Sequence, residues 1–313
     1  MSLQGKTIAV TGASGMIGVY LCRSLLKEGA TVIGVVRNPE KAAFLAEEGV
    51  EFRKADLMDR AALEKAFQGC DAVISNAAMY IATKAMGSLK AHEDANIEGT
   101  RNVLEAAHSA GVKRIAQIST FGIYKWSLFK TITEESTQLN GENGEGGPYR
   151  ATKQASEKLA WELAQKHKLQ LTTFRPAGVF GARDFNTLQL MYKFMRIPFM
   201  LLPSISFPLI YAGDLANTVA KALSTDVSIN QAYNVTGTPK QISEFFKAIV
   251  SVVNKKPKYL FIPLPIAIKV DNSKAERDLG FKTRSHLEAM KEIVAEEKPP
   301  KYLFEKTQAG NGG

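Results

Sequence analysis

At 313 residues, with 45% hydrophobic and 23% charged side chains, the chain has an ordinary globular balance that excludes a disordered or fibrous protein. The net charge of +9 is spread along the chain, and the one tight run is Lys255, Lys256 and Lys258. That reads as a solvated basic surface with some charge to spare for an anionic cofactor, and against nucleic acid as a partner, which needs clustering on one face.

Two cysteines, Cys22 and Cys70, form no C-x-x-C pair, so a reducing, cytoplasmic setting is expected. Gly5 to Val10 reads as a strand, not a signal peptide. The most apolar stretch, Ile197 to Ala212, is broken by Pro198, Pro203 and Pro208. It is shorter than the roughly 18–20 residues of a spanning helix, so no transmembrane segment is expected. His92, His108, His167 and His286 lack metal-ligand spacing.

In chain order, Thr7–Thr11 is a predicted strand and Met16–Lys27 a helix with Ile17, Leu21, Leu25 and Leu26 on one face. Thr31–Val36 is the next strand, followed by a helix from about Pro39. A strand near Val50–Arg53, a helix near Arg60–Phe67 and a strand at Ala72–Ser75 repeat the cycle. A helix through Gly99–Ala110 and a strand through Arg114–Ser119 continue it. This alternation predicts a parallel sheet with helices on both faces. Leu139–Pro148 reads as a loop, Tyr149–Lys166 as a long helix, Leu169–Phe174 as a strand. Asp214–Leu223 (helix) and Ala232–Val235 (strand) return to the sheet. Gln241 to Glu297 reads as mostly helical around the apolar stretch Tyr259–Val270, and Gln308–Gly313 as a disordered tail.

The first strand runs into Gly12-Ala13-Ser14-Gly15-Met16-Ile17-Gly18 and then a helix. Glycines here permit a tight turn, close approach to a pyrophosphate and packing of helix on sheet. The helix N-terminus offers free N–H groups to phosphate, and the strand before and helix after give the motif its context. About 20 residues on, where a carboxylate would hold the ribose of NAD, stands Arg37, with Lys41 one turn further. A guanidinium suits a 2′-phosphate, so NADP is favoured and NAD less so. Asp56 and Leu57 are placed to cap the adenine, and Asn76, Ala77 and Ala78 to border the cofactor's path.

Tyr149 and Lys153 are four residues apart on one helix face. A phenol with pKa near 10 is a poor base at neutral pH, and a neighbouring ammonium lowers it. The tyrosine can then exchange a proton with a carbonyl or alcohol as hydride moves. Ser119 and Thr120 close the fifth strand, where a hydroxyl can reach the same oxygen or serve as a cap.

These residues, with Asn96-Ile97-Glu98-Gly99-Thr100, Tyr124 and Arg175-Pro176-Ala177-Gly178-Val179-Phe180-Gly181, resemble the extended short-chain dehydrogenase/reductase superfamily, in its epimerase/dehydratase-like branch. The resemblance covers about residues 5–300. It implies a doubly wound (Rossmann) parallel sheet of about seven strands and a small, mostly helical C-terminal substrate lobe. In residue ranges, 1–180 with 209–236 would bind the dinucleotide, 181–208 and 237–300 would form the lobe, and 301–313 a tail. The resemblance implies Tyr149 as acid/base, Lys153 on the nicotinamide ribose, Thr120 as the catalytic hydroxyl and Asn96 as the family's asparagine. Pro176 and Val179 would meet the carboxamide.

Two departures stand out. Nucleotide-sugar epimerases usually carry an asparagine where this chain has Gly178 and an arginine near Phe207; both bind the sugar nucleotide's diphosphate. The apolar lining from Phe199 to Ile210 is closer to 3β-hydroxysteroid dehydrogenases and dihydroflavonol reductases. The expected activity is therefore NADP(H)-dependent reduction of a ketone or aldehyde, or oxidation of the alcohol, on an apolar small molecule. The alternatives are a nucleotide-sugar epimerase or dehydratase, with Arg183, Lys193 or Arg196 replacing the missing arginine, and a non-catalytic dinucleotide-binding sensor or assembly subunit. The apolar run is open to three readings, as substrate pocket, core or the interface of a homodimer.

Overall fold

The computed structural model describes residues 2–77, 93–127, 129–197, 199–253 and 257–303. In chain order the first half contains β1 (Thr7–Thr11), α1 (Met16–Lys27), β2 (Thr31–Val36), α2 (Ala43–Glu47), β3 (Glu51–Lys54), α3 (Arg60–Phe67), β4 (Ala72–Ser75), α4 (Gly99–Ser109) and β5 (Arg114–Ile118). The second half continues with α5 (Gly147–His167), β6 (Gln170–Pro176), β7 (Val179–Phe180), α6 (Thr187–Phe194), β8 (Phe199–Phe207), β9 (Ile210–Tyr211), α7 (Ala212–Leu223) and β10 (Gln231–Val235). It ends with β11 (Lys240–Gln241), α8 (Ile242–Val253), β12 (Lys258–Ala267), α9 (Ser273–Leu279) and α10 (His286–Glu296).

Seven strands form one sheet in the order β10-β6-β5-β4-β1-β2-β3, with every pair parallel. Alternate residues of each strand face opposite sides, and each side is covered by helices. Ile8 and Val10 of β1 join a cluster with Leu21 and Leu25 of α1 and Leu215 and Val219 of α7. Ala9 turns the other way, toward Leu63 and Phe67 of α3, Val103 and Leu104 of α4 and Leu163 of α5. Burying both faces explains why the central strands β1, β2 and β4 are mostly apolar; each buried Leu or Phe stabilises by roughly 1.5–3 kcal/mol.

The region after Gln241 differs from expectation at one element. Tyr259–Val270, expected within a mostly helical stretch, is largely the strand β12. It pairs in parallel with β8, while β11 pairs antiparallel with the end of β8, giving a separate three-stranded sheet. An apolar run of this length is ambiguous by periodicity alone; the partner strand, more than fifty residues upstream, decides it.

The apolar run Ile197–Ala212 divides between the readings. Leu209, Ile210, Tyr211 and Ala212 are buried core, Phe207 lines a cavity, and Ile197, Phe199 and Leu201 are exposed. Among the described residues, no helix is long and apolar enough to cross a membrane, and no three His, Cys, Asp or Glu side chains converge as metal ligands.

Candidate active site

The sheet order reverses between β1 and β4, and ligands in such sheets bind outside the carboxyl ends of the strands at that point. A cavity of about 1040 Å³ opens there, lined by residues from β1, β2, β5 and α5 and from the segments after β4 and β6.

The turn after β1 is built for close approach. Gly12 has φ +66°, and a Cβ on it would stand 3.0 Å from Ala77 Cα. A Cβ on Gly18 would meet the Gly12 carbonyl at 2.2 Å, so Gly18 lets α1 pack onto the turn. It is not among the residues that line the cavity. Gly15, the residue before α1, has nothing nearer than 3.4 Å to its missing Cβ. Packing within the protein does not demand glycine there, whereas a phosphate approaching the helix N-terminus does. Ser14, Met16 and Ile17 complete this wall.

Thr11, which sequence reasoning passed over as a functional group, locks β4 to the turn. Its hydroxyl accepts the N–H groups of Asn76 and Ala77 at 3.0 and 3.1 Å and donates to Ile74 O. The Asn76 amide donates to Thr11 O and Gly12 O. Ala78, expected beside them, lies outside the described residues.

At one end of the cavity Arg37 is 79% exposed, with its Nε 3.9 Å from Asp56 Oδ2. So loose a surface pair contributes little and leaves the guanidinium able to turn to a ligand. Leu57 lines the same end, whereas Lys41 does not.

At the other end Tyr149, in the first turn of α5, and Lys153, one turn on, both face the cavity. Lys153 is buried and its Nζ donates to Ile118 O at 2.7 Å. Burial lowers its pKa to about 8, against the opposing charge of Glu157. Ser119 Oγ is buried and has no hydrogen-bond partner among the described residues, an orphan at the cavity wall. Thr120 Oγ1 accepts the Gly122 N–H at 3.1 Å, a capping contact that uses a lone pair and leaves its proton for a ligand. Asn96 is buried but does not line the cavity. Its amide donates to Thr152 Oγ1 at 3.0 Å, and that hydroxyl donates to Pro148 O at 2.7 Å. Asn96 thus braces the turn that carries Tyr149.

A model of the NAD dependent epimerase/dehydratase family matches residues 8–236. The chain belongs to this family. Its members include the NAD(P)-dependent enzymes of the extended short-chain dehydrogenase/reductase kind, and the open Gly15 approach and the orphaned Ser119 hydroxyl fit such a dinucleotide. Cinnamoyl-CoA reductase 1 of Petunia hybrida is 32% identical over 192 residues, 58% of this chain and 56% of the relative. Quinone oxidoreductase 2 of Escherichia coli is 39% identical over 114 residues, 36% of each. Sterol demethylase protein B of Methylococcus capsulatus is 32% identical over 57% of this chain and 53% of the relative. The chain spans about half the length of the reductases it matches. Among solved structures, UDP-N-acetylglucosamine 4-epimerase from Bacillus cereus superposes with a TM-score of 0.79 at 22% identity, covering 94% of this chain and all of that one, a likeness of fold.

The far wall is packed closely around Gly178. At Gly178 a Cβ would lie 2.8 Å from Leu209 Cδ2 and 3.2 Å from the Phe207 ring, so an asparagine would have to displace both. Phe207 meets Phe121 edge-on with centroids 5.6 Å apart, and Phe121 stacks on Trp126 at 5.1 Å. Arg150 lies 4.3 Å from the Trp126 ring and donates to Gly122 O and Tyr124 O. Asp184, buried, accepts N–H bonds from Asn186, Thr187 and Leu188 at the start of α6; burial raises its pKa despite those bonds. Arg183 turns away, its guanidinium 3.7 Å from the Phe44 ring and its N–H donated to Glu297. None of Arg183, Lys193 and Arg196 lines the cavity. Phe121, Trp126, Arg150 and Asp184 were not anticipated; Arg150 follows Tyr149 directly, the one local signal that pointed to it.

Proposed function

We propose that this protein is an NADP(H)-dependent oxidoreductase that reduces the carbonyl, or oxidises the alcohol, of an apolar small molecule. The observation that carries this reading is the far wall: Gly178 closed off by Leu209 and Phe207, with aromatic rings beside it. Among the described residues of that wall a sugar diphosphate would find Asp184 and, as a cation, Arg150, already engaged. Burying that charge unpaired is costly, whereas removing an apolar ring system from water gains roughly 25 cal/mol per Å². Several relatives are reductases by name, which agrees.

In this reading Gly12, Ser14, Gly15, Met16 and Ile17 take the pyrophosphate, Arg37 the 2′-phosphate, and Asp56 and Leu57 the adenine end. Asn76, Ala77, Ser119, Pro176 and Val179 flank the nicotinamide half. The bound nicotinamide supplies or accepts hydride. Tyr149 holds the proton that the substrate oxygen gains or loses. Lys153, which donates to Ile118 O and has Glu157 farther off, stabilises the phenolate. Thr120 offers a second hydroxyl to the same oxygen, and Asn96 positions the turn. The segments 181–208 and 237–300 act as the substrate lobe.

The test is turnover of a panel of ketones, aldehydes and nucleotide sugars with NADPH and NADH, with calorimetric titration of uridine and thymidine diphosphates. Reduction of apolar carbonyls with no micromolar diphosphate binding is expected. Tight diphosphate binding abolished by Arg183→Ala or Arg196→Ala would replace this reading with that of an epimerase.

A further inference from the structure

Strands β8 and β12 present two unlike faces. In their parallel register Leu201 stands opposite Leu260 and Phe199 opposite Lys258, so these four share one face. The other face is packed: Tyr259 and Phe261 set their rings against Phe246 of α8, with centroids 5.0 and 5.7 Å away. On the outward face Phe199 is 61% exposed, Leu201 55%, Leu260 57% and Ile262 45%. Among the described residues nothing covers them. A contiguous exposed apolar face of this kind marks an interaction surface.

The sequence flanking the two strands is one-sided in charge. Residues 185–213 contain Lys193 and Arg196 and no acid; residues 245–270 contain Lys247, Lys255, Lys256, Lys258 and Lys269 and no acid. Strands β8 and β12 therefore lie in stretches of sequence that carry cations and no acid. Lys258, opposite Phe199, is exposed on the face itself.

We propose that this face docks onto a bilayer surface rich in anionic lipid. Phe199, Leu201, Leu260 and Ile262 enter the interfacial layer, and Lys258, on the same face, meets the phosphate-bearing headgroups. Charge decides against a second copy of the chain, since two such surfaces repel each other. Pro263 and Pro265 also lack the N–H groups a further strand would need. Phe207, at the far end of β8, lines the cavity, so one strand links the docking face to the site.

The experiment is co-sedimentation of the full chain with vesicles of phosphatidylcholine alone or with about a third phosphatidylglycerol. Binding to the mixed vesicles at low salt, at least about tenfold tighter than to neutral ones and weakened by added salt, is expected. Leu201→Asn with Leu260→Asn, and separately Lys258→Glu, should each weaken it about tenfold while NADPH binding is retained, since none of the three lines the cavity. Wild type remaining in solution, or variants sedimenting as it does, would overturn the proposal. So would a dimer in light scattering that Leu260→Asn splits. Duplex DNA binding lost in Lys258→Glu but kept in the leucine variant would reassign the charge to nucleic acid and equally overturn it.

Discussion

Glu157 of α5 and Arg175 of β6 form an ion pair at 2.6 Å in which both side chains are almost wholly buried. Glu157 stands one helical turn beyond Lys153, on the side of α5 away from solvent. Arg175 also donates to Tyr124 Oη at 2.6 Å and to Glu134 O, and the Tyr124 hydroxyl donates to Asn234 Oδ1 at 2.8 Å. One buried cluster thus joins the helix bearing Tyr149 and Lys153 to β6, β10 and the segment after β5. Burial alone would lower the Arg175 pKa, but the Glu157 charge and the hydrogen bonds reverse this and hold it above its usual value.

Removing one partner of a buried pair leaves an uncompensated charge, which costs about 3–5 kcal/mol. Glu157→Gln is expected to destabilise the protein by that amount in urea unfolding. Replacing both partners, Glu157→Leu with Arg175→Leu, should cost less than the two single changes added together. Additive costs would show that the pair does not act as a unit.

The proposed cofactor preference rests on Arg37. Wild type should bind NADPH more tightly than NADH by roughly ten- to hundredfold, the worth of a charge-assisted hydrogen bond. Arg37→Glu should invert the order by setting a carboxylate against the 2′-phosphate. Fluorescence titration with both cofactors checks this, and equal wild-type affinities would remove Arg37 from the site.

Tyr149→Phe keeps the ring and loses the transferable proton. Turnover should fall about 10²- to 10⁴-fold with NADPH affinity almost unchanged. Lys153→Met should damage both. If Tyr149→Phe retains most of its kcat, the proton role belongs elsewhere.

Lys153 also makes a signed prediction for stability. Burial lowers its pKa from 10.5 to about 8, so between those values the unfolded chain binds the extra proton. The penalty of burying the ammonium is present below pH 8 and is relieved as the pH rises toward 10.5. Without cofactor, Lys153→Met should be more stable than wild type at pH 7, and the difference should shrink toward pH 10. A gap in Tm that does not change with pH would rule out this linkage.

His286 works on the acid side. It is 9% exposed, edge-on to Phe180 and Phe245. Burial, with a smaller effect from Lys240, lowers its pKa from 6.5 to about 4. The neutral ring contributes stability above pH 6.5 that is lost as the pH falls toward 4, where protonation favours the unfolded chain. His286→Leu should show a smaller drop in Tm between pH 7 and 4.5 than wild type does; an equal drop would assign the acid sensitivity to other groups.

The sequence by itself determined the seven-stranded alternation, the glycine turn between strand and helix, and the Tyr149–Lys153 spacing. Each is a local pattern, set by the periods of strand and helix or by one turn's need for glycine, and adjacent residues suffice to specify it. Which side chains face the cavity was decided only by long-range packing. Gly18 and Asn96 lie in recognisable motifs, but that the one packs against the Gly12 carbonyl and the other bonds Thr152 is visible only in the fold. Arg183, open in sequence to either direction, turns outward because Phe44 and Glu297 receive it. Tyr259–Ala267 becomes a strand because β8 supplies the hydrogen-bond partners that no local pattern announces. The closure of the wall at Gly178 depends on Phe207 and Leu209, some thirty residues away, reaching the same point in space.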